Sequence, residues 1–458
     1  MDSIFLNRIK NKYVIFQLTL VAALVSFSSC SGTDYLNAIP EESSALVSMD
    51  ISNMSGVNSK AILKTMLHAS DISDCGLDLA SKIYLFESPD GNLGLCAKVN
   101  DDGDLNNMFN KLAGQGVCQK TKERRGFHFT VLNDTWVVGF SDNAMLVLGP
   151  VAVSAQAELQ NLMAKYLKQK EDDGIKGTPI YDKLDSIRSP MAIVIQAQAL
   201  PEKFVAPFTL GAPKDADASQ VLIAAEMNVK GGCLNIDGET FSYNRDIDKS
   251  LKDAAKIYRP IKGKYTKSMA SDALMGMFMN VDGKQFLTLL QNNKRLLTLM
   301  SGINAAIDMD NIIRSVDGDM AIVMPNYTDD NIQMSMSAEL SNNKWLDDVG
   351  YWKQSCPKGG RIEDWNKNSY YYTDGKTSFY FGVSDDKQFY SGNSDKQALS
   401  SIQSAENPIA VSLQNHIMGK KMVMVINLHS IQNGKIGAIA GFMTPIFGKL
   451  NSIVYTLK

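Results

Sequence analysis

Two pairs of short segments recur along this chain at nearly the same spacing, and a chain that repeats itself folds each copy by one plan. Ser44-Ala45-Leu46-Val47-Ser48-Met49-Asp50 resembles Asp272-Ala273-Leu274-Met275-Gly276-Met277-Phe278, with Ala45 and Ala273 separated by 228 positions. Farther on, Val138-Gly139-Phe140-Ser141-Asp142 matches Phe381-Gly382-Val383-Ser384-Asp385, with the glycines 243 apart. The similar offsets predict a tandem duplication with a modest insertion, the first repeat covering 44–265 and the second 266–458.

The local patterns follow the same order in both copies. A short apolar strand at Ala45–Asp50 leads to a helix-like Ser59–Leu67, and Ala273–Val281 leads to Lys284–Met300, where the apolar residues keep helical spacing. Lys82–Glu87 and Leu93–Val99 flank a Pro-Asp-Gly turn, in which Pro presets φ and Gly accepts a positive one. Met320–Met324 and Ile332–Ala338 flank Pro325–Asn331 in the same way, and helices are expected at Leu105–Leu112 and Lys344–Lys353. Each copy then shows a meander, Phe127–Leu132, Thr135–Phe140 and Met145–Leu148 against Tyr370–Thr373, Thr377–Val383 and Gln388–Tyr390. Helices at Val153–Gln169 and Asp395–Ser404 follow, and Lys249–Tyr258 closes the first copy alone. Glu171–Thr178 reads as a surface loop, and Ser452–Leu457 as a last strand. Local hairpins mixed with helices place the fold in the α+β class: a duplicated unit of antiparallel sheet plus helices.

Positions 1–29 read as a signal. Arg8, Lys10 and Lys12 precede an apolar run from Val14 to Phe27, shorter than the roughly 20 apolar residues of a spanning helix. The run ends in Phe27-Ser28-Ser29-Cys30-Ser31-Gly32, where small residues before a cysteine resemble a bacterial lipobox, although Phe27 departs from the usual Leu. In proteins with that motif the cysteine is diacylated and becomes the mature N-terminus, so Cys30 is the expected lipid attachment site and 30–43 the tether. The alternative is an ordinary secretory signal that leaves Cys30 a plain thiol. Ile436–Phe447, the strongest later apolar stretch, is too short and too broken by Gly437, Gly441 and Pro445 to span a bilayer. Ser31-Gly32-Thr33-Asp34 lacks an acidic surface-export cluster, which points to an outer-membrane protein facing the periplasm.

Tyr35-Leu36-Asn37-Ala38-Ile39-Pro40 running into Ser44–Asp50, just after such a signal, resembles the Bacteroidetes lipoproteins grouped as domain of unknown function 4836. The resemblance implies a Gram-negative envelope location and brings no activity, cofactor or catalytic residue with it.

Chemistry-bearing patterns are sparse. With 46 basic and 49 acidic residues there is no excess of positive charge to hold nucleic acid. His68, His128, His416 and His429 form no metal-ligand spacing, and no metal or cofactor is expected. Ser341-Asn342-Asn343-Lys344, Ser141-Asp142-Asn143 and Lys376-Thr377-Ser378 imitate penicillin-binding signatures in the wrong order. Ser341 reads instead as a helix cap, and the Ser-Asp pairs at 141 and 384 as turns in which Asp satisfies backbone donors. Asn100–Asp104 and Asp317–Asp319 are Asp-rich turns without the EF-hand spacing, and Lys120–Arg125 reads as a solvated basic loop. Past Cys30, the cysteines at 75, 96, 118, 233 and 356 are odd in number; Cys96 and Cys233 read as buried strand positions, with a pair such as Cys75 and Cys96 oxidised to a disulfide as the alternative in an exported chain.

One bias remains. Twelve aromatic residues crowd between Trp345 and Tyr390, far more than an even share. Trp345, Val349 and Trp352 lie at i, i+4 and i+7, the core stripe of a helix. On a strand Tyr370 and Tyr372 point opposite to Tyr371, so both faces carry rings. Trp365, Tyr370, Tyr372 and Tyr380 are therefore candidate ligand-binding residues, with full burial of both faces as the competing reading. Together these features predict a lipid-anchored envelope protein with a non-catalytic binding or scaffolding role. Its partners would be the membrane, through the lipid, and an envelope protein or glycan. The alternatives are a hydrolase using scattered carboxylates and a glycan-binding module using exposed rings.

Overall fold

The structure, a computed structural model, describes residues 32–54, 64, 75–293, 306–328, 331–375, 378–428 and 450–458. The chain divides into two compact units, Met1–Ser43 with Ser73–Thr178, and Ser44–Ile72 with Pro179–Lys458. In chain order the first strands are β1 (Ala45–Met49), β2 (Ile83–Glu87), β3 (Leu93–Lys98), β4 (Lys122–Arg124), β5 (Phe127–Leu132), β6 (Trp136–Phe140) and β7 (Ala144–Gly149). They are followed by β8 (Met191–Gln196), β9 (Leu222–Lys230), β10 (Cys233–Phe241), β11 (Met275–Asp282), β12 (Val316–Thr328) and β13 (Asn331–Leu340). The last are β14 (Arg361–Asn366), β15 (Ser369–Thr373), β16 (Ser378–Val383), β17 (Gln388–Gly392), β18 (Met422–Asn427) and β19 (Ser452–Leu457).

In the first unit the strands pair antiparallel in the order β2-β3-β7-β6-β5-β4. Turn chemistry sets these neighbours. Gly91 takes φ +78 between β2 and β3, and Asn133 (φ 49) with Asp134 (φ 59) turn β5 into β6 with the twist a tight hairpin wants. Ser141 Oγ accepts the N–H groups of Asn143 and Ala144 at 3.2 and 3.1 Å between β6 and β7. The serine, not the expected Asp142, satisfies that turn. Helix Asp102–Gly114 starts where the Asp101 carboxylate accepts Asp104 N–H at 2.8 Å, so the Asp-rich segment 100–104 is a helix cap. Helix Gln156–Tyr166 lies on the sheet and places Met163 Cε 3.3 Å from where a Cβ on Gly139 would be.

The second unit carries thirteen described strands in the order β1-β8-β9-β10-β19-β18-β11-β12-β13-β17-β16-β15-β14. Every pair is antiparallel except β10–β19, where the C-terminal strand runs parallel to its neighbour. The stretch β12-β13-β17-β16-β15-β14 has the order of β2-β3-β7-β6-β5-β4, and β1-β8-β9 has that of β11-β18-β19. One face of this sheet buries a large core that includes Phe286, Ile312, Trp345, Trp352, Phe381 and Phe389. The opposite face, under residues 261–273 and 409–417, buries Tyr265, Met269, Phe278, Ile417 and Val454.

Several elements differ from the sequence expectation. Pairing of β12 with β13 continues through Pro325 to Thr328 and Asn331, with register shifts at Val316/Met320 and Val323/Asn326. A proline has no N–H for a ladder, and a bulge is where a strand admits one. Lys344–Asp348 is a 3-10 turn feeding helix Val349–Ser355, and Ser341 Oγ donates to Ser315 O instead of capping it. Ile175 in the expected surface loop is fully buried, and Lys122–Arg124 in the expected basic loop is an edge strand. Cys75, Cys96, Cys118, Cys233 and Cys356 are in no disulfide, so the Cys75–Cys96 bridge is not formed. Lys284–Met300 is helical over Gly283–Asn292. Apart from residue 64, the expected helix at 59–67 lies outside the described residues, as do the tail of 284–300 and the apolar stretch 436–447.

Candidate binding surface

Strands β14 to β17 form a four-stranded end of the second unit, and their alternation separates two sets of rings. Ile362, Tyr372, Phe379, Phe381 and Phe389 turn inward and are 0–7% exposed. There they meet Trp345, whose ring stacks on Trp352 at 6.1 Å with an interplanar angle of 5°. Tyr370 is partly buried against the same core, under the Lys353 ammonium at 5.2 Å from its ring. Desolvation raises both the Tyr370 and the Tyr372 phenol above the usual value.

The outward set is different. Tyr371 and Tyr380 are direct cross-strand partners, and their rings stack with centroids 5.2 Å apart and planes 17° from parallel. Trp365 meets Tyr380 edge-on at 5.7 Å and is fixed by Nε1–H donating to Tyr370 O at 3.0 Å. All three rings are partly exposed. Tyr371 O–H donates to the Glu363 carboxylate, which raises the phenol above its usual range, and Arg361 Nε pairs with the same carboxylate at 2.9 Å. Of the residues singled out by sequence, Trp365 and Tyr380 share this face, whereas Tyr370 and Tyr372 point to the core. Tyr371 was missed, although alternation had already set it opposite Tyr370 and Tyr372.

The same positions in the first unit are closed. β5 and β6 pair Val131 with Val137 where β15 and β16 pair Tyr371 with Tyr380, and the valines are 2% and 0% exposed. Helix Gln156–Tyr166 lies on that face of the first unit, and the helix after β17 is only Asp395–Ser400. It reaches Gly392, where a Cβ would fall 2.6 Å from Ala398 N. Gly139 and Gly382, the glycines of the repeated motif, each lie flat under a ring. A Cβ there would meet Phe129 at 2.6 Å and Tyr390 at 2.7 Å respectively.

Carboxylates are brought together at a second place. Asp319, 2% exposed, accepts backbone N–H groups from Lys262 (2.9 Å), Gly263 (2.7 Å) and Lys264 (2.9 Å), and Asn280 Nδ2 at 2.8 Å. Glu339 accepts Asp319 N–H at 2.9 Å and sits between Lys264 and Lys262. These oxygens are committed to holding backbone, so the Asp317–Asp319 turn is an architectural joint. Among the described residues no group of three or more His, Cys, Asp or Glu is placed to hold a metal ion.

The model of domain of unknown function 4836 matches residues 35–433. The chain belongs to that family. No curated protein matches it. Two solved structures are similar at 8% identity. Crystal form IV of TP0453 covers 43% of this chain and 76% of its own, with a TM-score of 0.27. Crystal form III of TP0453 covers 81% and 97%, with a TM-score of 0.25. Among the described residues of this family member, no helix is long and apolar enough to cross a membrane.

Proposed function

We propose that this protein is a lipid-anchored envelope protein, built by tandem duplication, that binds a partner through Tyr371, Tyr380 and Trp365. The observation that carries the binding role is the contrast between the two copies. Paired positions that are buried valines in the first are a partly exposed tyrosine stack in the second, where the overlying helix is shorter. Duplication is supported by the matching strand orders and by the shared role of Gly139 and Gly382. Anchoring is supported by Cys30 and its preceding apolar run, and the outer membrane facing the periplasm is the expected location. Cys30→Ala should move the protein from the membrane to the soluble fraction; an unchanged distribution would sink the anchor.

A glycan is the partner class that the surroundings of the rings favour. Stacked tyrosines offer apolar faces to the C–H side of a sugar, and the adjoining Glu363–Arg361 pair offers an acceptor and donors to its hydroxyls. Purified lipopolysaccharide, peptidoglycan fragments and envelope proteins should be titrated against wild type and Tyr371→Ala/Tyr380→Ala. Saccharide binding lost in the double variant supports the glycan. Capture of a protein by the same rings would replace the glycan with a protein partner, and binding indifferent to them would overturn the site.

A further inference from the structure

Resting on the reading that Cys30 carries the lipid, we infer that one end of the first unit's sheet lies on the phospholipid headgroups. Gly32 marks that end, because a Cβ built on it would sit 3.6 Å from Lys98 Nζ. Lys98 is the last residue of β3 and pairs with Ala144 at the start of β7. Along the same rim Phe140 pairs with Met145, His128 with Phe140, and Arg124 with Phe127. The turns at 125–126 and 141–143 therefore stand at the end where the N-terminal segment enters. Tyr35 O–H, donating to Lys82 O at 2.7 Å just before β2, ties that segment down there. The turns at 88–92 and 133–134 are at the opposite end.

Of the expected tether 30–43, Asp34–Ala38 is a 3-10 helix whose Tyr35, Leu36 and Ala38 are buried, so Cys30 is separated from Gly32 by only two residues, at most about 7 Å of extended chain. With the acyl chains in the bilayer, so short a tether gives the unit no room to turn its other end to the membrane. The near rim suits a hydrated contact. Arg124, Arg125, Asp101, Asp104, Asp142 and Asn143 are exposed there, mixing both signs. The exposed large apolar residues of the described chain, such as Val153 and Tyr351, are not among these turns. Such a rim rests on the hydrated headgroups and inserts nothing into the hydrocarbon.

The test uses full-length lipidated protein in vesicles of phosphatidylethanolamine and phosphatidylglycerol carrying a headgroup spin label. A fluorophore is placed on a clickable residue at Asn143 in one sample and at Asp90 in another. Quenching at Asn143 should exceed that at Asp90 roughly threefold, because the ends of a six-residue strand are about 20 Å apart. Vesicle-bound protein quenched equally at both sites, or more at Asp90, overturns the inference and leaves the anchor standing. Wild-type protein that does not float with the vesicles overturns the anchor reading itself.

Discussion

Asp319 accepts the backbone N–H of Gly263 at 2.7 Å, and through it the segment at 262–264 is pinned to β12. Gly263 has φ +97, a left-handed conformation that glycine adopts readily and residues with a Cβ rarely do. Removing the carboxylate leaves three backbone donors and Asn280 without their acceptor. Asp319→Ala should cost about 3–5 kcal/mol. Asp319→Asn is nearly isosteric but turns an NH2 group against donors, so it should cost at least about 2 kcal/mol. Urea unfolding of both variants measures this. An Asn variant as stable as wild type would mean that the carboxylate does not hold the joint.

The Tyr371–Tyr380 stack separates a binding surface from a folding element. Tyr371→Val with Tyr380→Val introduces the residues that the first unit has at the matching positions Val131 and Val137, and valine suits a strand. The double variant should keep its fold, with Tm within about 5 °C of wild type, while losing capture of whatever binds the face. A cooperative loss of the folded state, seen by circular dichroism, would assign the stack to architecture.

Much of this arrangement was readable in the sequence because it is local. The Pro-Asp-Gly turn, the apolar runs of β5 to β7 and the Trp345–Val349–Trp352 stripe each record their own structure within a few residues. The rims were not readable. β4 (Lys122–Arg124) and most of β14 carry the charges that keep an edge strand from pairing onward, and those charges imitate a loop. Pairings such as β1 with β8, or β10 parallel to β19, join segments that no local pattern relates. Gly139 and Gly382 were visible as a repeat, but their reason, a ring lying across each, exists only in three dimensions. The same holds for the sides of the aromatic strands. Alternation divided Tyr371 from Tyr370 and Tyr372 but gave no indication of which side a helix would leave open.

Trp345 is fully buried, yet its Nε1–H has no hydrogen-bond partner among the described residues. Its contribution is therefore packing against Trp352, Phe381 and Phe389, offset by an unmet donor. Trp345→Ala should cost about 3–5 kcal/mol. Trp345→Phe also leaves space but removes the unsatisfied N–H, so its cost should stay below about 2 kcal/mol. Comparable losses for the two variants in urea unfolding would show that the indole nitrogen has a partner.

Alkaline pH should unfold this protein through its tyrosines. Burial raises the phenol of Tyr166 to about 12, helped by the nearby carboxylates of Asp90 and Glu42. Desolvation raises those of Tyr258, Tyr265 and Tyr455 as well. In the unfolded chain these groups ionise near 10. Above that value the unfolded state gives up protons that the folded state keeps, and stability falls as pH rises. The contribution is whole below pH 10 and, for Tyr166, is spent as pH passes through about 12. Phenolate absorbance should therefore show the exposed tyrosines titrating first and the buried ones only as the fold opens, with the urea midpoint falling over the same range. Tyr166→Phe keeps the ring and removes the ionising group, so it should make that decline shallower. A variant with the wild-type slope would mean that Tyr166 already ionises in the folded state.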